Sequence, residues 1–166
     1  ATMTIADDFV ITDLDVDLAW DSTTGGTTIF GDTIVICILD DGIDTNHLDF
    51  ENNIWINHNE IPNNGIDDDG NGYIDDYKGW NIKTLDDSIH GGGHGTPIAG
   101  SIGAKGNNSL GVAGINWNVK LMIVKNDFNT DEAAVIEAYA YPLAMRKLYN
   151  QTNGAKGAFV VATNSS

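Results

Sequence analysis

Thr33-Ile34-Val35-Ile36-Cys37-Ile38-Leu39-Asp40-Asp41-Gly42 decides how the rest of this chain is read. Its first seven residues are β-branched or apolar on both alternating faces, as a strand buried on both sides within a parallel sheet requires. Asp40-Asp41-Gly42 then stops the run as a turn signal. Two further stretches, Val119 to Lys125 and Ala158 to Thr163, have the same apolar character. Between the first two strands, Gly95-Thr96-Pro97-Ile98-Ala99-Gly100-Ser101-Ile102 places Pro97 in the first turn of a short helix of small residues. Residues 131–149 predict a second helix, capped by Asn129 with Glu132 three residues on, with Ile136, Tyr139 and Leu143 on one stripe and Gly154 beyond its end. Pro142 inside it is expected to kink the helix or split it in two. The order β, long loop, α, β, α, β predicts an α/β fold, a parallel sheet with helices on both faces, incomplete in this chain.

Composition narrows the function. With 166 residues, 42% of them hydrophobic, the chain suits one domain. Residues 1–30, polar and acidic, read as an N-terminal arm, and 31–166 as the body. The longest apolar run, Ile34 to Leu39, falls far short of the roughly 20 residues that cross a bilayer, and the N-terminus has no signal-like segment. A net charge of −16 argues against a nucleic-acid partner. That charge is lopsided: residues 1–90 hold 20 acidic and 2 basic side chains, whereas residues 91–166 hold 4 and 6. Cys37, the single cysteine, cannot form a disulfide within the chain, and its place inside a strand gives it a small hydrophobic role. Residues 45–93 form nearly fifty residues without clear elements, too long for an ordinary connection, so a functional or ligand-held loop is expected there.

In an open parallel sheet, chemistry gathers at the carboxyl ends of strands and at helix N-termini. Asp40 ends the first strand, and His94 begins the small-residue helix after Gly91-Gly92-Gly93. A carboxylate beside that ring could accept the Nδ1–H and leave Nε2 as a general base. Taken alone, each also reads as a turn or loop residue. The flanking residues add a resemblance. Thr33 to Asp44, with His47-Leu48-Asp49-Phe50 after it, resembles the catalytic-aspartate motif of subtilisin-like serine proteases, and His94-Gly95-Thr96-Pro97-Ile98-Ala99-Gly100 looks like their catalytic-histidine motif. Asn107 to Gly114 and the strand ending Ile123-Val124-Lys125 match the segments that come after that histidine in the family. The resemblance covers about residues 14–166, in the family's chain order of Asp, then His, then Ser.

The resemblance implies a secreted serine endopeptidase acting on protein or peptide substrates, with Asp40 orienting His94. Asp41 stands where the family usually has Ser or Thr. It reads either as a carboxylate coupled to Asp40 by repulsion or as a solvated turn residue. Leu48 replaces the usual proline. Nothing resembles the family's Gly-Thr-Ser-Met-Ala-like nucleophile motif, so the Ser would lie in a remaining C-terminal portion. By register, Thr163, Asn164, Ser165 and Ser166 fall on the strand that in the family pairs with substrate, which makes them substrate-binding residues rather than oxyanion donor or nucleophile. The alternative is a non-catalytic calcium-binding structural or assembly module derived from a protease fold.

The long loop carries a second signal. From Asp67 it reads Asp-x-Asp-x-Asn-Gly-x-Ile-Asp, the spacing of an EF-hand-type calcium loop, with ligands from Asp67, Asp69, Asn71, the Tyr73 carbonyl and Asp75, and Gly72 at the sharp turn. Position 12 is Lys78 rather than Glu, so the closing carboxylate must come from Asp76 or a distant residue. Calcium is the expected ion because hard oxygen donors favour it over zinc. Such an insert at about 60–80, ordered at millimolar calcium, fits an extracellular protein.

Overall fold

The computed structural model describes residues 15–126 and 132–166. Four strands, β1 (Val35–Asp40), β2 (Trp80–Asn81), β3 (Lys120–Lys125) and β4 (Val160–Ser165), form one sheet in the order β2-β3-β1-β4. Every pairing is parallel. Three α-helices accompany it, α1 (Val16–Trp20), α2 (Gly95–Gly103) and α3 (Glu132–Gln151), with a short 3-10 turn at Leu48–Phe50.

Alternation along the central strands builds the three layers. Val35, Cys37 and Leu39 of β1 join Met122 and Val124 of β3 against Ala138, Tyr141 and Met145 of α3. Ile38, Leu121 and Ile123 point the other way, onto Ala99 of α2 with Ile43, Phe50 and Ile89. Both faces of β1 and β3 are thus covered, as their unbroken apolar runs require. Cys37 is fully buried, and burial pushes its thiol well above the ordinary range, in keeping with a packing role.

Two expectations change. The helix runs through Pro142 without a break. An interior proline costs about 3 kcal/mol, but Pro142 is itself buried beside the fully buried Tyr141 and Met145. Burying one large apolar side chain returns about 1.5–3 kcal/mol, so packing outweighs the lost hydrogen bond. Second, the stripe Ile136, Tyr139, Leu143 is exposed, and the buried stripe is Ala138, Tyr141, Pro142, Met145. The Asn129 cap lies outside the described residues. Residues 15–30 are stitched to the body. Trp20 donates to the Ile115 carbonyl at 2.9 Å and packs on Trp117 at 4.5 Å, and Ile34 N–H bonds the Gly26 carbonyl.

Of the long loop, only β2 and the 3-10 turn are regular. It is anchored by buried Trp55, Trp80 and Ile82 on the α3 side of the sheet. No helix of the described residues is long and apolar enough to cross a membrane.

Candidate active site

Asp40 ends β1 with its side chain fully buried, and the Asn126 N–H holds its carbonyl at 2.8 Å. His94 immediately precedes α2 with its ring more than half exposed. Two backbone bonds clip the connecting chain together, Ile43 N–H to the Ile89 carbonyl and Gly91 N–H to the Ile43 carbonyl. Glycine is required at this junction. A Cβ on Gly92 or Gly95 would be driven into the Gly42 carbonyl, and on Gly95 it would also stand 3.0 Å from the Asp40 Cβ. Thr96 locks the turn, donating to the Gly92 carbonyl and accepting from Asp44 N–H.

The product of this packing is a chelated imidazole. His94 Nδ1 lies 3.0 Å from Asp40 Oδ1 and 3.1 Å from Oδ2. The carboxylate therefore receives the Nδ1–H and fixes that tautomer, which puts the lone pair of the neutral ring on Nε2. The hydrogen bond to Asp40, and then its charge, raise the His94 pKa above the ordinary histidine value. The Asp–His pair expected from the sequence is thus assembled across 54 residues.

Asp41 does what neither reading of the sequence anticipated. Its carboxylate accepts the backbone N–H of Gly95 at 2.8 Å and of His94 at 3.2 Å, capping α2 from the end of a different element. Burial works to raise its pKa, but the N–H groups of Gly95 and His94 outweigh this and hold the carboxyl below its usual range. No local signal could reveal the role, because its partners lie more than fifty residues away.

Of the expected substrate residues, Thr163, Asn164 and Ser165 lie on β4, which ends the sheet, and Ser166 follows it. Thr163, Asn164 and Ser165 register with Cys37, Ile38 and Leu39, and Ser166 N–H reaches the Leu39 carbonyl at 3.4 Å. The strand end therefore lies alongside the end of β1 that carries Asp40. The opposite edge of β4 pairs with no strand among the described residues.

In the acidic loop, the structure gathers Asp67 and Asp69 but not Asp75. Glu60 joins them: one carboxylate oxygen of each of Glu60, Asp67 and Asp69 lies within 4.8 Å of the others. Asp75 instead accepts the Asn64 and Gly65 N–H groups at 2.9 Å. Asn71 donates to Asp69 and Asp76, while its own side-chain oxygen accepts the Tyr73 N–H. Tyr73 packs its ring edge-on against Trp80 and Tyr141, 4.9 Å from each. Asp76 is fully buried, with its oxygens bonded by Tyr141, Asn57 and Asn71. Burial pushes its carboxyl up to about 7 against those hydrogen bonds. Burial likewise raises Glu60, against the Asp69 and Asp68 N–H groups. Sequence reasoning missed Glu60 because it stands seven residues ahead of Asp67, outside any calcium-loop spacing.

Comparison with known proteins agrees with this geometry. The model of the subtilase family, peptidase S8, matches residues 31–163. Over 101 residues, 60% of this chain and 17% of the relative, the sequence is 46% identical to a subtilisin-like protease 1 of Plasmodium berghei. It is 32% identical over 123 residues, 68% of this chain and 19% of the relative, to an extracellular protease of Xanthomonas campestris. With a major intracellular serine protease of Bacillus subtilis it shares 35% identity over 95 residues, 57% of this chain and 24% of the relative. The matched region is less than a quarter of the length of each of these relatives. A family match over most of the chain, falling on the strand, helix and turn that assemble Asp40 and His94, places this chain in the subtilase family.

Proposed function

We propose that this chain carries the aspartate and histidine of a serine endopeptidase whose nucleophile lies outside these 166 residues. The observation that supports the reading best is the bidentate approach of Asp40 to His94 Nδ1, at 3.0 and 3.1 Å. In the reaction, a serine hydroxyl attacks the scissile carbonyl of a peptide while Nε2 of His94 takes its proton. Asp40, held in the protein interior, stabilises the imidazolium that results, and His94 then returns the proton to the leaving amine. The exposed edge of β4 offers backbone N–H and C=O groups to an extended peptide, with Thr163, Asn164, Ser165 and Ser166 beside the catalytic pair. A remaining C-terminal portion that carries the serine would cover the exposed apolar residues Ile136, Tyr139, Leu143 and Val161. An extracellular location fits a loop built for a hard cation, since free calcium outside cells is millimolar. A fluorophosphonate probe applied to the intact natural polypeptide tests the assignment. The label should map outside residues 1–166 and vanish in the His94→Ala variant; label on Ser165 or Ser166, or undiminished labelling without His94, would overturn it.

A further inference from the structure

We propose that Arg146 is a positioning residue for the peptide substrate: it fixes an extra residue in β4 and thereby decides which β4 side chains are turned toward the side of the sheet that carries His94. The inference rests on the reading of β4 as the strand that meets the peptide.

β4 carries a bulge. Val35 of β1 registers with Val160, but Ile36 registers with Ala162, so Val161 is left unpaired. Bulges are rare between parallel strands, and next to active sites they re-aim side chains. Residues in register share a face of the sheet. Past the bulge, Thr163 and Ser165 therefore lie on the face of Cys37 and Leu39, toward α3, and Asn164 lies on the face of Ile38, toward α2. The contacts agree: Thr163 lines a groove with Leu143 and Arg146, while Ser166 Oγ donates to Asn164 Oδ1 at 2.9 Å. His94 immediately precedes α2. Without Val161 each of these side chains would change face, and Thr163 and Ser165, not Asn164, would be turned toward the α2 side.

Burial does not pin this register. Val161, Ala162, Thr163 and Ser165 are all exposed, and a strand without a buried face is prone to slip. The register has to be held from the start of the strand, and there α3 takes hold. The Arg146 guanidinium lies 4.0 Å from the centre of the Phe159 ring, and its Nη1 donates to the Val160 carbonyl at 2.9 Å. Its Nε donates to Asn150 Oδ1, one turn further along α3, at 3.2 Å, which aims the fork. Ala158 N–H bonds the Met145 carbonyl at 3.1 Å, and Val160 N–H turns back to the Ala158 carbonyl at 2.9 Å. Residues 158–160 are thus clamped to the helix, and the first residue left to bulge is Val161. A planar fork that stacks and donates at once is a property of arginine that lysine lacks.

The test uses the intact natural polypeptide and one peptide that it releases from casein by cleavage, extended across the cut, with versions shortened stepwise from each end. The acetylated ethyl ester of the residue preceding the cut, too short to pair with a strand, completes the set. Active enzyme is counted with the fluorophosphonate probe. The parent should bind the longest peptide with a KM about tenfold or more below that of the shortest, as backbone pairing requires. Arg146→Met, which keeps the apolar stem, should raise KM for the longest peptide about tenfold with kcat within about twofold, the signature of binding lost equally from ground and transition states. Its rate on the ester should stay within about twofold of the parent, which a general loss of structure would not give. Arg146→Lys keeps a donor for Val160 but not the stacked fork, so KM should rise about two- to threefold on the longest peptide alone. The proposal is overturned if Arg146→Met keeps the parent's KM for the longest peptide, or if its rate falls equally on peptide and ester. Should Arg146→Met fail to fold, an Arg146→Lys variant that equals the parent on every substrate overturns it. A parent that cleaves all lengths alike removes the reading of β4 and this inference with it, whereas an Arg146→Met variant that favours long peptides as much as its parent does overturns the inference and leaves that reading standing.

Discussion

Removing the Asp41 carboxylate probes the least expected feature of the site. In Asp41→Ala, the N–H groups of His94 and Gly95 lose their acceptor, and no side chain caps α2 locally. Loss of an N-cap costs about 1 kcal/mol, within about 0.5–2. Gly95 is buried, so its N–H is poorly placed to turn to water, and an unsatisfied buried donor adds about 1–3 kcal/mol. His94 N–H is more exposed and can be rehydrated. We therefore expect about 2 kcal/mol of destabilisation by urea unfolding at pH 7. The sign with pH comes from the lowered Asp41 pKa. Its contribution is present above the ordinary aspartate value and fades as pH falls through the lowered folded-state value, so wild type and variant should converge below about pH 4. Asp41→Asn separates cap from charge. Asparagine retains the acceptor, so stability recovers most of the loss. The charge that helps raise the His94 pKa is gone, so the acid limb of the kcat/KM profile moves to lower pH. An Asp41→Ala variant within about 0.3 kcal/mol of wild type, with the acid limb unmoved in Asp41→Asn, would refute the reasoning.

Other perturbations draw on the same contacts. Asp40→Asn preserves shape but removes the charge and favours the wrong imidazole tautomer, so kcat should fall by about 10⁴ with KM little changed, as steady-state assays on peptide substrate will report. Gly95→Ala drives a methyl group into the Gly42 carbonyl and against Asp40, and should cost about 1–3 kcal/mol or more while lowering kcat, seen by urea unfolding and kinetics together. Tyr141→Phe takes from Asp76 one of the donors to its buried carboxylate, so urea unfolding should show a loss of about 1–3 kcal/mol with the peptide-cleavage rate at 25 °C nearly intact.

The strands were legible because a run that is apolar on both faces admits few other readings, and β1 and β3 fall within two residues of the expected limits. The site pair was legible chiefly through resemblance: a strand end and a helix start converge in a parallel sheet, which admits the pair, but the residues flanking Asp40 and His94 singled it out. The buried stripe of α3 was not. That helix carries two apolar stripes, and a 3.6-residue period cannot rank Ile136, Tyr139 and Leu143 against Ala138, Tyr141 and Met145. The narrower stripe wins because Ala138 and Pro142 let the helix approach the sheet, while Tyr141 finds a buried acceptor in Asp76. β2 escaped notice because two residues carry no period at all.

Carboxylates were the hardest to read, since the sequence does not distinguish one aspartate from another and the fold gives each a different partner. Asp40 meets an imidazole, Asp41 meets two N–H groups, and Asp49 meets Asn108 and Val112 N–H, which bind the 3-10 turn to the loop after α2. In each case, a donor offsets the burial of charge. Glu60, Asp67 and Asp69 differ in having one another as neighbours. At a separation of up to 4.8 Å and an effective dielectric near 20, each pair repels by at least about 3 kcal/mol. The N–H groups that hold Glu60 Oε1 and the Asp67 and Asp69 oxygens are dipoles, and they leave Glu60 Oε2 unmet. Fixed dipoles can orient three such charges but cannot cancel them. Among the described residues, then, Asp40, Asp41 and Asp49 are answered by donors from distant parts of the chain, whereas Glu60, Asp67 and Asp69 stand beside one another.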